Sequence, residues 1–128
     1  DLGRGEEALS AFKEAIRLDR KFAEAWNNKG STLHNLGRDT EALSDLEEAI
    51  RLDPKLVDAW HNKGIVLGRL GRHIEALTAF DEAIRLNPNS SKTWYNKGIA
   101  LLYLDRHEEA KKAMDRALKI NPSLEVPK

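Results

Sequence analysis

Histidine is the side chain of this sequence best suited to acid–base or metal chemistry, and the chain has four of them. His73 and His107 hold equivalent places at the start of two predicted helices, where packing explains them better than a metal. His34 and His61 fall on different predicted helices, and no carboxylate completes a zinc ligand set with them. The sequence also has no cysteine, no nucleophile paired with a base and no glycine-rich phosphate loop. It therefore predicts no enzyme, no metal site and no cofactor.

The asparagines are a second set of residues that can bind a ligand, through the hydrogen bonds of their side-chain amides. Asn28, Asn62 and Asn96 follow one another at intervals of 34 residues. Because a side-chain amide both donates and accepts hydrogen bonds, such a row can hold the backbone of an extended peptide whatever its sequence. The alternative is that each asparagine is solvated or bonded to a neighbouring helix, and the sequence leaves both interpretations open.

The interval of 34 residues runs through the whole chain. Five sets of identical residues recur at this interval: Trp26, Trp60 and Trp94; Gly30, Gly64 and Gly98; Ala42, Ala76 and Ala110; Ala49, Ala83 and Ala117; Pro54, Pro88 and Pro122. A fixed period of this length is typical of a solenoid, in which each unit packs only on its neighbours. The chain therefore predicts a short stack of units rather than a globule with one central core.

Each unit contains two amphipathic helices, because apolar residues recur at steps of three and four on either side of a short break. The first helices are predicted at 23–36, 57–70 and 91–104, and the second helices at 39–52, 73–86 and 107–120. Asp39 or Thr40 is expected to cap the helix at 39–52. Residues 1–22 are predicted to hold a turn at Gly3 and then one more second helix. The prediction is seven helices and no strands, with each recurrent glycine facing the recurrent alanine of its own unit.

The recurring residues resemble the tetratricopeptide repeat. The second unit is the closest match, through Trp60, Gly64, Leu67, Ala76, Phe80, Ala83 and Pro88. On this resemblance the chain divides into the second half of a truncated repeat (1–22), three complete repeats (23–56, 57–90 and 91–124) and a truncated tail (125–128). It departs from the family pattern at four kinds of position: Lys29, Lys63 and Lys97 for leucine; Leu33, Leu67 and Leu101 for tyrosine; Asp105 for a turn glycine; Arg20 for a proline.

The resemblance implies an all-α fold, a right-handed superhelical solenoid of antiparallel helix pairs whose first helices line a concave groove. In this family the groove usually binds peptides of other proteins. The positions carried over from the family present these residues to the groove: Glu24, Asn27, Asn28, Ser31, His34, Asn35, Asp58, His61, Asn62, Ile65, Gly68, Arg69, Lys92, Tyr95, Asn96, Ile99, Leu102 and Tyr103. The asparagine row resembles the ladder with which some tetratricopeptide superhelices hold extended chains.

These groove residues change in character along the chain. The first unit is polar, whereas the third has an apolar set: Tyr95, Ile99, Leu102 and Tyr103. If exposed, that set can anchor the side chains of a partner; the alternative is that neighbouring helices cover part of it. The carboxylate clamp of chaperone-binding family members is mostly missing, since only Asn62 and Lys92 match it. We therefore do not predict recognition of a chaperone's C-terminal carboxylate.

Composition narrows the classes of partner. The 128 residues correspond to one domain, and 21 basic residues balance 21 acidic ones, which predicts neither nucleic acid nor an anionic membrane as a partner. No apolar run is long enough to span a membrane, no signal peptide is visible, and cysteine is absent. From these features we expect a cytoplasmic location. The chain opens inside a repeat without an initiator methionine, so we expect it to be a fragment of a longer protein.

Three functional hypotheses remain open. The leading one is a protein-interaction module that binds an extended peptide or partner in its groove. The second is a self-assembling scaffold, since Leu9, Phe12 and Ile16 at one end are expected to be partly exposed and the last helix, with Met114 and Leu118, lacks a capping helix. This hypothesis predicts a homo-oligomer formed through the repeat ends. The third is a targeting domain attached to an enzyme elsewhere in a longer protein.

Overall fold

The computed structural model describes residues 2–124, and this part of the chain forms seven α-helices and no strand. The helices are α1 (Leu2–Leu18), α2 (Ala23–Asn35), α3 (Asp39–Leu52), α4 (Val57–Arg69), α5 (His73–Leu86), α6 (Ser91–Tyr103) and α7 (His107–Ile120). The second helices of the units match their predicted bounds, and the first helices end one residue earlier than predicted. The predicted turn at Gly3 is wrong, because α1 begins at Leu2 and continues through this residue. Asp1 and the predicted tail at 125–128 lie outside the described residues.

Helix packing follows the order of the chain. The most extensive contacts are within the pairs α2–α3, α4–α5 and α6–α7, and each pair also packs on the helix before it. Successive first helices touch as well, α2 with α4 and α4 with α6. Contacts confined to a helix pair and the adjacent unit, with no common centre, are those of an α-solenoid built from helix pairs. The predicted fold class is confirmed.

The close approach of each helix pair depends on its recurrent glycine. A Cβ atom built on Gly30 would lie 2.7 Å from Leu46 Cγ, and one on Gly98 would lie 2.7 Å from Met114 Cε. In the second unit a Cβ on Gly64 would overlap the ring of Phe80. The glycine thus makes room chiefly for the large residue four positions after the recurrent alanine. The predicted choice of helices is correct, and in the first unit Gly30 also faces Ala42, whose carbonyl oxygen would lie 3.2 Å from the built Cβ.

The three tryptophans tie each first helix to the loop that precedes it. The indole Nε1 of Trp26, Trp60 and Trp94 donates to a carbonyl oxygen six residues earlier, at 3.0, 2.8 and 2.8 Å. The ammonium of the lysine three residues later lies over each ring, 5.4–5.6 Å from its centre. A lysine stem can cover apolar surface while its charge interacts with an aromatic face. This contact explains why lysine is compatible with the place that leucine usually has in the family.

Turn chemistry also repeats. The links between first and second helices contain Gly37, Gly71 and Asp105, with backbone φ angles of +79°, +78° and +58°. This left-handed region suits glycine, and aspartate tolerates it better than most residues. The predicted capping role of Asp39 or Thr40 is wrong. Arg38 is the residue before α3, no side chain caps the helix, and Asp39 makes contacts elsewhere.

In α1, at one end of the stack, the exposure of one residue differs from the prediction. Leu9 is buried, with 1% of its surface exposed, because it joins the core cluster that contains Leu33 and Leu46. Its predicted exposure is wrong, whereas Phe12 and Ile16 are half-buried as expected. Among the described residues, no helix combines the length and the apolar character needed to cross a bilayer.

Candidate functional site

The asparagine row does not make one repeated contact. Asn62 Nδ2 donates to Asn27 Oδ1 at 3.0 Å, and this bond links α4 to α2. Asn27 is only 6% exposed, so its predicted availability in the groove is wrong. Asn28 is exposed, and Asn96 borders a cleft between α4, α5 and α6. The contact of Asn62 fits the interpretation in which the amide bonds to a neighbouring helix, and not the one in which it holds a peptide.

His61 also belongs to a contact between helices. The hydroxyl of Thr93 donates to Ser90 Oγ at 3.1 Å, which leaves its oxygen to accept from His61 Nδ1 at 2.9 Å. The imidazole is tilted against the ring of Phe80, with 6.0 Å between ring centres. Burial lowers the pKa of His61; Asp58 opposes this shift and Lys92 adds to it. The side chain therefore joins α4 to α6 as a neutral imidazole, and only part of it faces the groove.

The first junction, where α2, α3 and α4 meet, is closed by three polar side chains. His34 Nδ1 lies 2.6 Å from Asp39 Oδ1, and Arg69 Nε forms an ion pair with Asp39 Oδ2 at 3.1 Å. The side chains of His34 and Asp39 are only 18% and 12% exposed, whereas that of Arg69 is 53% exposed. Both carboxylate oxygens therefore have a partner within this chain, and about half of the Arg69 side chain stays in contact with solvent.

The second junction, where α4, α5 and α6 meet, is open. It holds a cleft of about 270 Å³, here called the Gly68 cleft, lined by Gly64, Ile65, Gly68, Arg69, His73, Ala76, Phe80, Asn96, Ile99, Ala100 and Tyr103. The rings of His73 and Tyr103 stack across its edge, with 4.3 Å between centres and 4° between planes. Within the described residues, the lining of this cleft includes no acidic side chain.

The two junctions differ in the residues at three equivalent places. The places of His34, Asp39 and Arg69 in the first junction are taken by Gly68, His73 and Tyr103 in the second, each 34 positions later. A Cβ atom built on Gly68 would meet nothing within 4 Å. The cleft therefore exists because a glycine replaces the side chain that closes the equivalent place one unit earlier.

The structure brings some predicted groove residues together and leaves others apart. Ile65, Gly68, Arg69, Asn96, Ile99 and Tyr103 meet in the Gly68 cleft. The remaining predicted positions outside it are either exposed (Glu24, Asn28, Asn35, Asp58 and Lys92) or half-buried (Ser31, Tyr95 and Leu102). Sequence reasoning missed the contribution of the second helix, through His73, Ala76 and Phe80, because the resemblance placed the groove on first helices alone. The sequence did contain a sign of this contribution, because His73 has the place in its unit that Asp39 has one unit earlier.

The architecture and groove define a helical-repeat protein with a concave surface that includes the Gly68 cleft. Sequence models of the tetratricopeptide repeat match residues 1–57 and 55–123. The chain belongs to the tetratricopeptide repeat family.

Solved structures agree with this assignment. MamA 41-end from Desulfovibrio magneticus RS-1 is 28% identical over 94% of this chain and 68% of its own, with a TM-score of 0.87. YrrB, described as a TPR protein with an unusual peptide-binding site, is 26% identical over 94% of this chain and 62% of its own, with a TM-score of 0.84. The first TPR of Spaghetti (RPAP3), bound to the HSP90 peptide SRMEEVD, is 26% identical over 80% of this chain and 81% of its own, with a TM-score of 0.78. Among curated proteins, none matches this sequence.

Proposed function

We propose that this chain is a protein-interaction module that holds an extended peptide or partner segment in its concave groove and anchors it in the Gly68 cleft. The observation that carries the proposal is the open space beside Gly68, where a built Cβ would lie more than 4 Å from every atom beyond the adjacent residues and the nearby backbone of α4. An apolar concave site with a few polar groups at its edge is the usual form of a ligand site. Ile65, Ile99 and Phe80 supply the apolar walls, and Asn96 supplies an amide.

Exposed apolar surface near the cleft supports the same function. Tyr103 borders the cleft and is 67% exposed. A large exposed apolar side chain at the edge of a concave site extends the area that a partner buries. YrrB and Spaghetti, two proteins of similar fold, are described as peptide-binding and as bound to a peptide. The chain acts in this proposal by binding and carries out no catalysis.

The ligand differs from a chaperone tail. The carboxylate clamp expected for such a tail is mostly missing here, since Asn27, Ser31 and Asn96 stand where lysine, asparagine and arginine are usual. Asn27 is in addition buried and bonded to Asn62. Self-assembly through the repeat ends and attachment to an enzyme in a longer protein stay predictions from the sequence.

Selection of ligands from a random peptide display library on the immobilised chain tests the proposal, with affinities measured by calorimetry. The variant Gly68→Leu fills the cleft with the side chain that Leu102 has at the equivalent place of the third unit. Thr78→Leu is the matched control, because Thr78 is exposed on α5 and does not line the cleft.

We expect selected peptides to lose at least about tenfold in affinity for the Gly68→Leu variant and to bind the Thr78→Leu variant like the original chain. Circular dichroism establishes that both variants are folded. Equal binding to the original chain and to the Gly68→Leu variant would show that the cleft is not the anchor.

A further inference from the structure

We infer that the Gly68 cleft takes one apolar side chain of a peptide in which an acidic residue lies close by, and that Arg69 binds the side-chain carboxylate of that residue. This inference rests on the proposed function and specifies the chemistry of its ligand. It goes beyond a general peptide groove because it assigns one contact to the apolar walls and another to a single guanidinium.

The size and walls of the cleft fit one side chain. Its volume of about 270 Å³ is slightly below the range of sites that hold a drug-sized molecule. The walls come from Ile65, Ile99 and Phe80, so an aliphatic or aromatic group gains free energy by leaving water there. Asn96 lies on the same lining, where its amide can pair with the backbone on either side of the anchor.

Arg69 is the charged residue of this lining within the part of the chain that the structure describes. Its contact with Asp39 uses Nε, and a guanidinium has four further N–H donors on its terminal nitrogens. The side chain is 53% exposed, so these donors reach solvent at the cleft. Guanidinium and carboxylate form the strong, directional pairs that fix a ligand in one register.

Asp39 does not cancel this preference for an acid. One of its oxygens lies 2.6 Å from His34 Nδ1 and the other 3.1 Å from Arg69 Nε, so each oxygen already faces a partner within this chain. The carboxylate is also mostly buried, at 12% exposure. Asp39 is therefore a positioning residue: it holds the guanidinium at the boundary between the closed first junction and the open cleft.

A series of defined peptides tests the inference by NMR titration of the full chain, labelled with ¹⁵N so that weak binding is also seen. Each peptide is an octamer of serine and glycine with one leucine and, one to three positions away, a glutamate, a glutamine or a lysine. Acetylated and amidated ends remove the terminal charges, so that a carboxylate can come only from the glutamate side chain. The variants are Arg69→Gln and, as a matched loss of charge on the exposed loop between α3 and α4, Lys55→Gln.

We expect one or more glutamate peptides to shift the Gly68 amide and the Arg69 Nε signal, with an affinity about tenfold above the glutamine and lysine peptides of the same spacing. Arg69→Gln removes this preference, and Lys55→Gln keeps it. Cleft shifts with equal affinity for all three peptide types, or a glutamate preference that survives Arg69→Gln, overturn the acidic ligand while peptide binding in the cleft stands. If no peptide shifts the cleft signals, the anchor of the proposed function fails with it.

Discussion

Gly68 stands in α4 where His34 stands in α2, and this exchange separates an open junction from a closed one. His34 bonds to Asp39 at 2.6 Å and helps to fill the space between α2, α3 and α4. Gly68 leaves the equivalent space between α4, α5 and α6 empty, and a cleft of about 270 Å³ results. Two units with the same helix packing thus present different surfaces to the groove.

Replacement by alanine at two glycines of α4 is expected to change the free energy of unfolding in opposite directions. Gly64→Ala places a Cβ against the ring of Phe80 and is predicted to lower the free energy of unfolding by about 1–3 kcal/mol. Gly68→Ala places its Cβ in open space and raises helix propensity, so we expect a gain of up to about 1 kcal/mol. Urea unfolding followed by circular dichroism measures both values. Equal losses for the two variants would contradict the open space described beside Gly68.

The polar closure of the first junction is predicted to matter for stability. Asp39→Ala removes the partner of His34 and Arg69 and leaves a mostly buried imidazole unpaired, at a cost of about 1.5–3 kcal/mol. Glu41→Ala is the control, because Glu41 forms an exposed pair with Arg38 and its loss is expected to have little effect. Scanning calorimetry gives the two changes in unfolding temperature. A similar small change for both variants would mean that Asp39 is not a structural link.

Mild acid is predicted to weaken the fold through His61. Burial lowers the pKa of this histidine in the folded chain, whereas in the unfolded chain the imidazole binds a proton near pH 6.5. Its contribution to stability is therefore complete above about pH 6.5 and is lost as the pH falls from there toward the lowered pKa. The variant His61→Asn, which has the residue of the first unit at this place, is expected to show a flatter dependence of unfolding free energy on pH.

Urea unfolding at pH 7.5 and at pH 5.5 measures this difference for the original chain and for the variant. His107→Asn is the control, since the side chain of His107 is 70% exposed and its removal is expected to leave the pH dependence unchanged. If the original chain and His61→Asn lose the same free energy on acidification, the histidine is not its source.

The turns between first and second helices are predicted to distinguish glycine from other residues. Gly71 has a φ of +78° and open space around its Cβ position, so Gly71→Ala is expected to cost about 1–2 kcal/mol through backbone strain alone. Asp105 has a φ of +58°, and Asp105→Gly relieves this strain for a predicted gain below about 1 kcal/mol. Thermal unfolding of both variants tests the pair. A stabilising Gly71→Ala would contradict the left-handed conformation of that residue.

Sequence patterns alone determined the architecture. The period of 34 residues and the three- and four-residue steps of apolar positions placed the first helices within one residue of their observed ends and the second helices at theirs. These signals are local, because a helix begins and ends according to residues a few positions away. The resemblance to the tetratricopeptide repeat rested on the same recurring residues, and it located six of the residues that line the cleft.

Only the tertiary structure decided what the repeated residues do. Asn28, Asn62 and Asn96 share one place in their units, yet Asn62 bonds to Asn27, Asn28 is exposed and Asn96 borders the cleft. The reason is that a side chain in a stack meets residues of the next unit, and those differ even where the repeat itself does not. The cleft has the same origin: it depends on the side chain that Gly68 lacks and on the three helices that leave the resulting space unfilled.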